Sequence, residues 1–193
     1  NYCPEIDNMN ESNPITEFSV QVVGDSLFGA DADGCASVST FMSLILWLQV
    51  EDNSVPGATV IGDESIPEQY VSGDWNWTVI DGGGNDIMPH CTENDCDEVL
   101  DEIITDSGEG LIPDLVEKAQ NDGSNVILIG YYSVPKGSEY EPVILEVEIV
   151  NDRYNEFAKA NEGVYFISLK DVMSPEETPE LYSDDLVLSL IHI

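Results

Sequence analysis

The segment QVVGDSLFGADADG (residues 21–34) opens as an apolar strand and breaks at the turn Gly24-Asp25-Ser26. A β-branched run that ends at a glycine predicts a strand, and the residues after Ser26 favour a helix. At a strand-to-helix turn, backbone N–H groups point outward and favour negative charge. Ser26 is therefore either a structural residue that caps the helix or a nucleophile held at the end of the strand.

Strands and helices alternate along the rest of the chain. Strands are predicted at FSVQVVG, WNWTVIDGGGND, NVILIGYY and GVYFISL, and helices at residues 36–48, CDEVLDEIITD, LIPDLVEKAQNDG and residues 142–160. The helix at 36–48 is expected to bury one face, which carries Val38, Phe41, Met42, Ile45 and Leu48. NVILIGYY and GVYFISL are expected to be buried strands, and EDNSVPGAT is predicted to be a loop.

This alternation predicts an α/β fold, a three-layer α/β/α sandwich around a parallel sheet of about five strands. Residues 1–16 are polar and contain Pro4 and Pro14, so they are predicted to form an extended arm. The remaining residues, 17–193, are predicted to form a single domain, since a chain of 193 residues suits one hydrophobic core.

The charge of the chain limits its partners. There are 39 Asp and Glu against 5 Lys and Arg, which gives a formal net charge of −34. Such a surface repels nucleic acid and anionic membranes, so neither is an expected partner. Salt screens the self-repulsion, which favours a halophilic or marine habitat. The apolar run Leu44–Leu48 is far too short to span a bilayer.

The four cysteines suit two disulfides in an oxidising compartment, and this favours a secreted or periplasmic protein whose signal peptide has been removed. In HCTENDC, His90 and Cys91 also suggest metal ligands, but no second pair completes a zinc site. A Cys91–Cys96 disulfide is favoured, and Cys3–Cys35 follows by elimination. Neither a metal nor another cofactor is expected.

Acyl-transfer chemistry requires a nucleophile, a base and donors for the developing oxyanion. In a parallel sheet, ligands bind at the carboxyl ends of the strands. This rule places Ser26, the loop around Gly57 and the loop 82–86 at one edge. The N–H groups of Ser26 and Gly57 and the side-chain amide of Asn85 are then three candidate donors.

Three blocks in order, GDSL, NSVPGAT and GGGND, resemble the first three blocks of the SGNH (GDSL) hydrolases. These are serine esterases and lipases with a three-layer, flavodoxin-like fold. The segment IPEQYVSGDWNWTVIDGGGNDI, followed by paired cysteines, resembles a secreted bacterial subgroup. The resemblance implies that Ser26 is the nucleophile and that Gly57 and Asn85 join the Ser26 N–H in the oxyanion hole. Gly62 is the alternative glycine.

The fourth block departs from the family pattern Asp-x-x-His. The chain has two histidines, His90 and His192, and Ser189 stands where the acid should precede His192. Either His192 is the base with Asp185 as a displaced partner, or the site is degenerate. Because the family usually continues into a closing helix, we expect either a fragment or a domain that lacks this helix.

The resemblance thus predicts a secreted serine esterase that cleaves short-chain or acetyl esters of small molecules or glycans through a Ser26 acyl-enzyme. The alternative is a non-catalytic binding module that kept the fold and lost its base. Asp25 and Asp86 are expected to brace the loops and not to titrate in the reaction.

Overall fold

The computed structural model describes residues 18–29, 37–46, 48–91, 96–133, 136–138 and 141–173. Its strands are β1 (Ser19–Val23), β2 (Gln49–Asp52), β3 (Trp77–Ile80), β4 (Asn125–Gly130) and β5 (Val164–Ser168). Its helices are α1 (Ser26–Gly29), α2 (Val38–Leu46), α3 (Ile66–Gln69), α4 (Gly84–His90), α5 (Cys96–Ile103), α6 (Leu111–Asn121) and α7 (Ile144–Ala160).

The five strands form one parallel sheet in the order β2-β1-β3-β4-β5. In register, Val23 pairs with Ile80, and Ile80 pairs with Leu128. With helices on both faces, this confirms the predicted three-layer α/β/α architecture. The strand order reverses between β1 and β3, and in such sheets ligands bind at this switch point beyond the carboxyl ends.

Alternate residues of the inner strands supply two separate cores. Val23, Ile80 and Leu128 face the larger core, which α5, α6 and α7 close. Val20 and Val22 face the smaller core, which Phe28 of α1 and residues of α2 cover. Burial of both faces explains why the inner strands have nearly continuous apolar sequences.

The sequence-based prediction was wrong at three elements. Glu51 and Asp52 belong to β2, although they were assigned to a loop; β2 is an edge strand with largely exposed side chains, so it lacks an apolar signal. β5 is the opposite edge strand and is not fully buried, because Tyr165 and Ile167 are exposed. Ile45 is 72% exposed, because the described residues do not cover the last turn of α2.

The predicted arm and the carboxyl-terminal segment lie outside the described residues. None of the helices in the described part of the chain is both long and apolar enough to cross a membrane.

Candidate active site

Ser26 is the first residue of α1 and is partly exposed just beyond the carboxyl end of β1. The turn before it is held at Gly24, whose N–H donates to Gln69 Oε1 at 2.7 Å and whose carbonyl accepts from Gln69 Nε2 at 3.0 Å. A Cβ atom at Gly24 would lie 1.5 Å from Asp81 Oδ1, so only glycine fits. This contact sets the path of the chain into Ser26.

Asp25, directly before Ser26, connects three loops. Its N–H donates to Asp81 Oδ1 at 2.9 Å, and its Oδ1 accepts from the Leu27 N–H at 2.9 Å. Its Oδ2 accepts from the Tyr131 hydroxyl at 2.8 Å and from the Asn85 side-chain amide at 3.3 Å. The residue before the candidate nucleophile is thereby tied to the ends of β3 and β4.

Gly57 lies in a tight turn beside this network. The turn is attached to β1 because the Val55 N–H donates to the Gly24 carbonyl at 3.0 Å. The Ala58 N–H closes it by donating to the Val55 carbonyl at 2.9 Å. Gly57 has φ 81, and with Pro56 before it this is a type II turn, which glycine adopts without strain. Gly57 is exposed.

Asn85 lies in the first turn of α4, and its amide joins the other two loops. Its Nδ2 donates to the Ala58 carbonyl at 2.9 Å as well as to Asp25. The amide therefore lies between the residue before Ser26 and the residue after Gly57. The structure thus brings the loops of all three predicted oxyanion-hole residues together, while their catalytic roles stay predictions.

Asp86 binds the loop that follows the turn containing Gly57. Its Oδ2 accepts from the Val60 N–H at 2.8 Å and its Oδ1 from the Ile61 N–H at 2.9 Å. Both contacts are those of a brace, as expected from the sequence. Gly62, the alternative glycine, directly follows Ile61 and so lies outside the segment that Asp86 holds.

Two carboxyl groups are buried together beneath the site. Asp81 is fully buried, and both burial and the nearby Asp25 carboxylate raise its pKa well above the ordinary value. Burial raises the pKa of Asp25 too, but the Leu27 N–H and the Tyr131 hydroxyl counter this. Asp25 accepts three hydrogen bonds, whereas Asp81 Oδ2 has no hydrogen-bond partner. The charge therefore resides on Asp25 and the proton on Asp81.

Sequence reasoning missed Gln69, Asp81 and Tyr131 as parts of the site. Asp81 and Tyr131 directly follow β3 and β4, whereas the sequence analysis placed both residues within its predicted strands and so did not assign them to the site. Their contacts depend on the order of the strands, which the sequence pattern does not contain. Gln69 lies in α3, which was not predicted, and nothing in its local sequence marks it.

The remaining predicted residues divide between described and undescribed parts of the chain. Cys91 and Cys96 form a disulfide, with their Cα atoms 4.7 Å apart. His90 is exposed at the end of α4, and no group of three or more His, Cys, Asp or Glu in the described ranges is arranged to hold a metal ion. The other four residues lie outside the described residues: Cys3, Cys35, Asp185 and His192.

An open cleft of about 540 Å³ adjoins Gly57. One wall is the turn that contains Gly57, and the other carries three acidic side chains, those of Asp63, Glu64 and Glu68. A ligand carbonyl near Gly57 would therefore have carboxylates as neighbours on the cleft side.

The architecture is similar to that of several solved structures. One is named a lipolytic protein of the G-D-S-L family, from Desulfitobacterium hafniense DCB-2; it has 15% sequence identity and a TM-score of 0.67, and the match covers 90% of this chain and 91% of that one. An SGNH hydrolase from Slackia heliotrinireducens has 14% identity and a TM-score of 0.59, with 90% and 91% covered.

A third similar structure is a family two carbohydrate esterase from Clostridium thermocellum in complex with cellohexaose. It has 13% identity and a TM-score of 0.58, with 90% of this chain and 59% of that chain covered. No family model and no curated protein matches the sequence. At these identities the likeness establishes the fold: the chain has the SGNH-hydrolase fold, as its three sequence blocks predicted.

Proposed function

We propose that this protein is a serine esterase that cleaves carboxylic esters through an acyl-enzyme on Ser26. The observation that carries the proposal is the position of the Asn85 amide, between the loop of Ser26 and the loop of Gly57. This arrangement lies at the switch point of the sheet, and the similar folds bear the names of esterases and lipolytic proteins.

In the proposed mechanism, Ser26 Oγ attacks the carbonyl carbon of the ester while its proton passes to His192. The oxyanion that forms accepts hydrogen bonds from the N–H groups of Ser26 and Gly57 and from the Asn85 amide. Collapse expels the alcohol, which takes the proton back from His192. Water then attacks the acyl-enzyme, with His192 again as the base, and releases the carboxylic acid and free Ser26.

Asp185 is the proposed partner of the imidazole, since Ser189 occupies the usual position of the acid. An imidazole base needs an acceptor on its far nitrogen to set its tautomer. Asp185 lies seven residues before His192, so the chain between them must fold back for the two side chains to meet.

Hydrolysis of a short-chain nitrophenyl ester tests the proposal. We expect Ser26→Ala and His192→Ala to abolish turnover and Asp185→Asn to lower it modestly, because an orienting acid contributes only part of the rate. Ser189→Asp should raise activity if His192 acts in the register of the family. Equal rates for the wild type and Ser26→Ala would refute the esterase assignment.

A non-catalytic binding module is the second candidate, and the absence of the Asp-x-x-His pattern favours it. The two candidates differ in the reactivity of Ser26. An esterase should form a covalent adduct at Ser26 with a neutral fluorophosphonate, whereas a folded sample that stays unlabelled would support the binding module.

The proposed substrates are neutral short-chain or acetyl esters, of small molecules or of glycans. The acidic wall of the cleft beside Gly57 supports this, since carboxylates repel an anionic acyl donor. A secreted or periplasmic location is proposed as well; the Cys91–Cys96 disulfide fits an oxidising compartment. Comparison of the intact protein in culture medium, periplasm and cytoplasm would test it.

A further inference from the structure

The Tyr131 hydroxyl joins the two loops that carry Ser26 and Asn85. Tyr131 directly follows β4, and its hydroxyl donates to Asp25 Oδ2 at 2.8 Å. The same oxygen accepts from the N–H of Gly84 at 2.9 Å. Asp25 precedes Ser26 and Gly84 precedes Asn85. A single oxygen atom is therefore hydrogen-bonded to the residue before each of these two proposed catalytic residues.

Tyr131 is itself rigidly held. Its main-chain N–H donates to Asn151 Oδ1 at 2.8 Å, and Asn151 Nδ2 donates back to the Tyr131 carbonyl at 3.1 Å. The ring packs closely against Gly84, where a Cβ atom would lie 2.9 Å from Cζ. An oxygen on a rigid ring with two partners fixes the distance between those partners better than two exposed side chains would.

The hydroxyl also stays a donor across the working range of pH. Burial raises the pKa of Tyr131 well above its ordinary value, and the Asp25 carboxylate raises it further. Tyr131 therefore remains protonated and keeps donating to Asp25. Its contact with Asp25 Oδ2 is shorter than that of the Asn85 amide, 2.8 Å against 3.3 Å.

The 3.3 Å contact with Asp25 leaves one N–H of the Asn85 amide weakly held. Its amide nitrogen has two N–H groups, and one of them donates to the Ala58 carbonyl at 2.9 Å. The other points to Asp25 at 3.3 Å, which is a weak hydrogen bond. Because the Tyr131 hydroxyl already donates a hydrogen bond to Asp25 Oδ2, the carboxylate orients this second N–H but holds it only weakly. The N–H can therefore donate to an oxyanion instead.

We propose that Tyr131 is a positioning residue for the ester hydrolysis described above. It fixes the distance between the Ser26 and Asn85 loops, and its hydrogen bond to Asp25 Oδ2 weakens the contact of that oxygen with the Asn85 amide. The inference rests on the proposed esterase function. It adds a residue from the end of β4 to a site otherwise built from the loops after β1, β2 and β3.

The test is Tyr131→Phe, which removes one oxygen atom and retains the ring. The matched control is Tyr70→Phe, because Tyr70 is also buried and its hydroxyl also donates to a carboxylate, Asp122 Oδ2 at 2.9 Å. Asp122 directly follows α6 and precedes the amino end of β4, so it lies at the opposite end of the strands from the site. Both variants lose one hydroxyl group and its hydrogen bond to a carboxylate, and Tyr131→Phe alone also loses the hydrogen bond from the Gly84 N–H.

We expect Tyr131→Phe to lower kcat for a nitrophenyl ester on the order of 10- to 100-fold, as misplacement of catalytic groups does, and to leave KM within about twofold. Tyr70→Phe should keep the wild-type kcat although it also loses thermal stability. If both variants keep the wild-type kcat, or both lose it in proportion to stability, the positioning role is wrong.

Gly84→Ala provides a second variant should Tyr131→Phe fold poorly. The added methyl group favours the helix but displaces the Tyr131 ring, so a fall in kcat without a change in KM supports the inference. A wild-type kcat in Gly84→Ala overturns it. A wild type without turnover or Ser26 labelling would refute the proposed function itself, which separates that failure from a failure of the positioning role.

Discussion

Asp81 is a fully buried carboxyl group that receives one hydrogen bond, from the Asp25 N–H to Oδ1. Burial and the nearby Asp25 carboxylate raise its pKa well above the ordinary value of 3.8. The folded state therefore binds the proton more tightly than the unfolded state does. The contribution of protonated Asp81 to the free energy of unfolding is fully present below pH 3.8. It is lost as the pH rises from 3.8 through the folded pKa.

Asp81→Asn should remove this decline, because the amide is neutral at every pH and retains the Oδ1 acceptor. We expect the two proteins to be similar near pH 4 and the variant to be more stable at pH 7, by about 1.4 kcal/mol for each pH unit over which the folded Asp81 stays protonated above pH 3.8. Urea unfolding at several pH values measures this. A stability difference that does not vary with pH would show that Asp81 is ionised in the fold.

Among the helices, Arg153 joins α7 to the region between α5 and α6. Its guanidinium donates to Asp106 Oδ1 at 2.7 Å and to the Ile104 carbonyl at 2.8 Å, and it lies 3.0 Å from Asp101 Oδ1. The side chain is 14% exposed, and Arg153 is the one arginine of the sequence. This planar set of donors is one that lysine cannot reproduce.

Arg153→Met should destabilise the protein by about 2 kcal/mol, mainly because it leaves the carbonyl of the buried Ile104 without its donor. Lys159→Met is the control: it removes the same charge from an exposed pair with Glu156 and should cost no more than about 0.5 kcal/mol. Denaturant unfolding compares the two variants. Equal losses would mean that only net charge matters and that the contacts of Arg153 do not.

The net charge of −34 produces a negative electrostatic field around the whole molecule. The carboxylates that line the cleft beside Gly57 make this field stronger near the candidate site. At low salt we expect kcat/KM for an anionic nitrophenyl ester to be on the order of tenfold below that of its neutral analogue. Sodium chloride should narrow the difference, because the Debye length falls to about 10 Å at 0.1 M. A preference for the anionic ester would contradict the proposed substrate class.

Two matched double variants separate the cleft from the remaining charge. Asp63→Asn with Glu64→Gln removes two carboxylates that line the cleft, and Glu117→Gln with Glu162→Gln removes two exposed ones elsewhere. The first pair should narrow the preference for the neutral ester at low salt, and the second should leave it nearly unchanged. Equal effects would assign the preference to net charge alone.

The layered α/β fold and the place of the candidate site follow from local sequence patterns. Apolar runs such as NVILIGYY predict strands buried on both faces, and the blocks GDSL and GGGND mark the ends of two of them. These signals are local: burial on both faces requires continuous apolar residues, and tight turns require glycine. Edge strands lack such constraints, so β2 was missed and the burial of β5 was overestimated.

The contacts between polar side chains, in contrast, follow from the tertiary structure. Tyr131 and Asp25 are 106 residues apart and meet because β4 lies beside β3, and β3 beside β1, in the sheet. Gln69 reaches Gly24 from a helix without a sequence signal, and Asp81 occupies the space that the missing side chain of Gly24 leaves. Such contacts depend on strand order and close packing, and these arise when distant segments are buried together.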